Sequence, residues 1–83
     1  MIKVGKVTHY YDKIGVAIIE LEGTVSVGDK LRYSKSGEDL FDDTVDSIQI
    51  EHDKVESANR GQIVGIKTKE AVKAGTEVFN SKS

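Results

Sequence analysis

Three consecutive segments decide the fold: Ile2-Lys-Val-Gly-Lys-Val-Thr-His-Tyr-Tyr11, Asp12-Lys-Ile-Gly15 and Val16-Ala-Ile-Ile-Glu-Leu21. The first is rich in β-branched and aromatic residues and sustains no apolar spacing of three and four, which predicts a strand over 2–11. Asp12, Lys13 and Gly15 then interrupt it with turn chemistry. In the third segment Ala17, Ile19 and Leu21 share one face of an extended chain, and Val16, Ile18 and Glu20 share the other. The pair reads as a hairpin, with Gly5 marking a bulge in its first strand.

The same reading extends to the rest of the chain. A turn over 22–28 leads to a strand at Lys30–Ser34, where Leu31 and Tyr33 alternate with polar residues. Residues 34–43 lack periodicity, so they are expected as an exposed connection. A strand is expected over 44–51, with Val45, Ser47, Gln49 and Glu51 on one side and Asp46, Ile48 and Ile50 on the other. Asn59-Arg60-Gly61 reads as a turn before a strand at Ile63, Val64 and Ile66, and Gly65 as a place of close approach. One helical turn is expected at 70–74, a last strand at 76–80, and a flexible tail at 79–83.

With 83 residues the chain supports one domain, and it contains no cysteine for disulfides or thiolate ligands. Its longest apolar run, Val16–Ile19, is too short to cross a bilayer, so a cytoplasmic protein without membrane contact is expected. Net charge is −2 overall. The charge is unevenly distributed: by formal count, residues 1–19 carry +2, 20–56 carry −7 and 57–83 carry +3.

Val25-Ser-Val27-Gly28-Asp29-Lys-Leu31 is echoed by Val72-Lys-Ala74-Gly75-Thr76-Glu-Val78, two similar entries into strands. Six or seven short strands in an open sheet would expose unpaired edges, and closing the sheet removes them. The expected architecture is therefore all-β, a single small closed antiparallel β-barrel spanning 1–83.

Six ordered pieces carry a family resemblance: Val4-Gly5-Lys6-Val7, Gly15-Val16-Ala17, Val27-Gly28-Asp29-Lys30-Leu31, Val45-Asp-Ser-Ile48, Val55-x-x-Ala58-x-x-Gly61-x-x-Val64-Gly65-Ile66 and Val72-x-x-Gly75-x-x-Val78. Together they resemble the second domain of translational GTPases such as elongation factor Tu. That resemblance implies a closed barrel that docks on a GTPase domain and touches tRNA. A similar barrel ends collagenase-like peptidase relatives that act in tRNA modification. The chain departs from the GTPases in having no GxxxxGKS/T phosphate loop, so it cannot hydrolyse GTP alone.

Catalytic, cofactor and metal sites are not expected. His9 and His52 lie outside any ligand spacing, and Glu38, Asp39, Asp42, Asp43 and Asp46 do not follow the order of a calcium loop. No serine has a base at a persuasive spacing. The expected role is a non-catalytic binding module that contacts tRNA or the ribosome, with a protein adaptor docking on a GTPase or a tRNA-modifying enzyme as the alternative. Candidate contacts are the rings of His9, Tyr10 and Tyr11, one facing the core and the others free to stack. Lys6, Lys30, Arg32, Arg60 and Lys67 are candidate phosphate contacts.

Overall fold

The computed structural model describes residues 1–81. Strand β1 (Ile2–Tyr11) pairs antiparallel with β2 (Val16–Leu21) as the sequence requires. Its register slips between Lys3 and Gly5 against the last strand, which is the expected bulge. Gly5 is needed there because a Cβ would fall 2.7 Å from Ile19 Cγ2 and 2.8 Å from the Glu20 carbonyl oxygen. A second slip between Val7 and His9 adds bend and twist.

Eight further strands follow: β3 (Val25–Ser26), β4 (Lys30–Lys35), β5 (Glu38–Thr44), β6 (Ile48–Ile50), β7 (Asp53–Val55), β8 (Ser57–Ala58), β9 (Ile63–Lys67) and β10 (Glu77–Asn80). The main sheet runs β5-β4-β10-β1-β2-β9-β6-β7, and β3 and β8 form a separate ladder. All pairings are antiparallel. The inward faces bury Val7, Ala17, Ile19, Leu31, Tyr33, Ile48, Val64, Ile66 and Val78 around one core.

The expected closed barrel is not found. Strands β5 and β7 remain the two ends of the main sheet, and the short β3–β8 ladder stands apart from it. Closure fails for a local reason. Val45 and Ile48 are both buried although three residues apart, so the chain cannot keep strand alternation between them. The strand expected over 44–51 shrinks to β6, and no ladder joins β5 to it.

Residues 34–43 differ from expectation as well. They form a hairpin whose two-residue turn, Ser36 and Gly37, has positive φ at both positions. The carboxylates that suggested a loop are accommodated on its return strand, β5. The helical turn expected at 70–74 is irregular backbone anchored by Lys35 Nζ donating to the Ala74 carbonyl at 2.9 Å. Of the expected tail at 79–83, Phe79 and Asn80 belong to β10, the Ser81 N–H donates to the Lys30 carbonyl, and residues 82 and 83 lie outside the described residues. No helix among the described residues is long and apolar enough to cross a membrane.

Asp29, buried at the entrance to β4, ties three parts of the chain together. Its Oδ2 accepts from the Ser26 N–H at 2.9 Å and the Asn80 amide at 2.8 Å. Its carbonyl accepts from the Val45 N–H at 2.9 Å, while the Gly28 N–H donates back to the Val45 carbonyl. Asp29→Ala removes a charged acceptor from two buried or half-buried donors, and is expected to lower unfolding free energy by about 3 kcal/mol. Thr76 is the opposite case, a buried hydroxyl with no hydrogen-bond partner among the described residues. Thr76→Val is expected to be neutral or stabilising by up to about 1 kcal/mol. Urea unfolding of both variants checks the pair of expectations.

Candidate functional site

Strand β2 is apolar on both faces, and only one face meets the core. Val16 and Ile18 point outward beside Gly65 of β9, which in turn stands opposite Gln49 of β6. Gly65 has no side chain, so the outer surface sinks between Ile18 and Gln49. A Cβ there would sit 3.2 Å from Val16 Cγ1. The result is a hollow of about 690 Å³ walled by Tyr11, Ile14, Val16 and Ile18 on one side and by the β6–β7 turn on the other. Ile14 is 61% exposed, Ile63 56% and Tyr11 48%, an unusual concentration of open apolar surface on so small a domain.

The β6–β7 turn closes one end of this hollow. Its two residues, Glu51 and His52, have φ of 48° and 74°. A two-residue hairpin requires this left-handed backbone, which Asn-Gly adopts readily and Glu-His only with strain. The strained pair holds a carboxylate and an imidazole at the rim of an apolar hollow.

The residues singled out from the sequence do not assemble into one site. His9 and Tyr11 lie on the outer face with their rings edge-on, centroids 4.5 Å apart, and Tyr10 packs against the core. Of the three, only Tyr11 lines the hollow. Lys6 stands between Glu20 and Glu77 in the ladder. Arg32 is committed to its neighbours: Nε and Nη2 donate to the two oxygens of Asp42 at 2.8 and 3.1 Å, and Nη1 reaches Asp39 at 3.3 Å. The hydrogen bond from this guanidinium holds the Asp42 carboxyl below its usual range. Lys30 lies among Asp42, Asp43 and Asp46. Arg60 projects from the β8–β9 turn, and Lys67 lies on β9, four strand positions from β4. That is about 19 Å measured along the sheet, so these cations form no common basic face.

Ile14, Ile63, Glu51 and His52 were not among the contact residues expected from the sequence. The available signal was the second apolar face of β2, since a strand with Val16 and Ile18 outward must have them covered or leave them open. Among the described residues no three His, Asp or Glu side chains converge on a metal position.

Comparison with known proteins sets this geometry in context. No family model matches the chain. Over 94% of its length it is 35% identical to an uncharacterised protease of Methanocaldococcus jannaschii, and covers 19% of that protein. It is 32% identical to a collagenase of Porphyromonas gingivalis, again over 94% of this chain and 19% of the relative. The chain thus spans about a fifth of the length of the curated relatives it matches. Among solved structures it is similar to the C-terminal domain of a Geobacillus thermoleovorans protein named as a U32 peptidase. The TM-score is 0.89 at 20% identity, with 96% of this chain and 92% of that one covered. A selenomethionine form of the same domain gives a TM-score of 0.87, with 94% and 98% covered. At such identity the likeness is one of fold.

These findings overturn the resemblance to the second domain of translational GTPases, because relatives and structural neighbours alike carry peptidase or collagenase names. The reading as a translation-factor-like module that contacts RNA falls with it. The expectation of a chain outside enzyme families is corrected too, since its relatives are named as a protease and as collagenases. The misleading signal was generic: Val-x-x-Gly-x-x-Val spacing records how a chain enters a strand, whatever the domain does.

The strain in the β6–β7 turn gives an expected outcome of its own. The double substitution Glu51→Asn with His52→Gly supplies the residues this turn geometry favours, and should raise unfolding free energy by about 1–2 kcal/mol in urea titrations.

Proposed function

We propose that this chain works within a peptidase-family protein of the U32 kind, where its outer hollow holds a stretch of polypeptide. The observation that carries the reading is the open apolar hollow floored by Gly65. Its width supports the proposal: Ile18 and Gln49 lie on strands two positions apart, about 10 Å, which is room for one extended chain with its side chains. Its chemistry supports it further. No lysine or arginine lines the hollow, whereas Gln49 offers an amide donor and acceptor beside apolar walls. Such a surface suits a peptide backbone with apolar side chains. The names of the relatives point to polypeptide as the substance handled.

The test is a residue-resolved NMR titration of the chain with peptides from digested gelatin. Shifts confined to Tyr11, Ile18, Gln49, Ile63 and Gly65 are the expected result. Gly65→Leu, which fills the floor, should abolish them with fold-spectrum changes confined to Val16 and its neighbours, since a Cβ at Gly65 already lies 3.2 Å from Val16 Cγ1. Absence of shifts with the unsubstituted chain, or shifts that survive Gly65→Leu, would overturn the proposal.

A further inference from the structure

The hollow does not end at Gly65. A second depression of about 280 Å³ shares Ile14, Val16, Gln49 and Gly65 with it and continues to Ser47, Lys54 and Lys67. Ladder pairing explains the continuity. Lys54 of β7 stands opposite Gln49, Gln49 opposite Gly65, and Gly65 opposite Ile18, so these four make one row across the outer face. Lys67 lies two residues beyond Gly65 on the same face of β9, opposite Val16. The two depressions therefore make a single trough with chemically different ends.

One end carries the Glu51 carboxylate with the open side chain of Ile63, the other carries Lys67, and Lys54 flanks Gln49 on the side of the second depression. Neither lysine has an ion-pair partner among the described residues. This contrasts with Lys3, paired to Glu77 at 3.1 Å, and with Arg32, clasped by Asp42. Lys6 and Lys30 also form no ion pair within 4 Å among the described residues, but Lys6 stands between Glu20 and Glu77 and Lys30 beside Asp42, Asp43 and Asp46, whereas Lys54 and Lys67 stand beside an apolar floor.

Resting on the polypeptide reading above, we infer that the trough takes an extended peptide whose apolar side chains lie over Ile18 and Gly65 and whose carboxylates meet Lys54 and Lys67. Charge complementarity fixes both the class and the direction of the occupant. Acidic side chains, or a terminal carboxylate, belong at the lysine end, and the Glu51 end disfavours them. The walls supply non-directional affinity, and the lysines supply selectivity that weakens as salt rises.

The probes are two synthetic peptides of alternating Val and Thr, one ending in two Asp residues and its twin ending in two Asn residues with an amidated terminus. At low salt the acidic peptide should bind about three- to fivefold more tightly, the scale of two exposed ion pairs. The combined substitution Lys54→Gln and Lys67→Gln should erase that difference while leaving the neutral peptide's affinity unchanged. Equal binding of both peptides to the unsubstituted chain would overturn this inference and leave the polypeptide reading standing. A preference that survives the double substitution would overturn the assignment to these lysines. Failure of both peptides to bind would overturn the polypeptide reading itself.

Discussion

The buried carboxylate of Asp29 is the contact on which the arrangement of the sheet depends. It lies just past β3, at the entrance to β4, where the chain leaving β5 and the end of β10 come together. Through Ser26 it fixes the turn that aims β3 at β8, and through Asn80 it fixes the end of β10. Its backbone exchanges with Val45, the residue at which the chain leaves β5. A buried polar side chain is tolerated because its donors are supplied locally, by a turn three residues away and by a strand end already in place. A few directed bonds thus do what a continuous ladder does in a closed barrel, and the β6–β7 hairpin is held to the sheet through β9 alone.

The unclosed sheet leaves two edges, β5 and β7, and the molecule treats them differently. At β5 the edge is long, and it is guarded. Leu40 sits at a register slip, and four carboxylates line the strand, with Arg32 and Ser34 drawing Asp42 and Asp39 back onto the sheet. Charge and a bulge together discourage another strand from adding there. At β7 the edge is only three residues long, too short to template pairing, and it is the adjoining face that is left open. The apolar trough therefore lies beside an edge that does not need protection.

The fold was legible in the sequence wherever alternation was clean. Strands β1, β2 and β4 and the bulge at Gly5 followed from β-branched periodicity and glycine placement, because burial on one face writes itself into every second residue. Strand β5 was not legible, since Glu38, Asp39, Asp42 and Asp43 look like a loop until Arg32 is known to stand opposite them. Strands β7 and β8 are too short for any period to declare itself. The candidate site was half visible. Gly65 read correctly as a place of close approach, but what approaches it depends on pairing between strands distant in sequence, and the strained Glu51–His52 turn leaves no compositional trace.

The same distinction explains why family likeness misled on function and on barrel closure, while strand alternation alone gave the all-β antiparallel class. Spaced valines and glycines encode strand entry and inward packing, and any small antiparallel domain needs them. Function is carried by the outward residues, which the core does not constrain. In this chain the outward residues of β2, β9 and β6 are apolar around a missing side chain, and the cations expected to meet phosphate are dispersed or already paired. Val16 and Ile18 gain nothing for the core by being branched and apolar. Burying their face against another polypeptide would remove that exposed surface from water, and the hydrophobic effect favours such burial wherever an extended chain fits between Ile18 and Gln49.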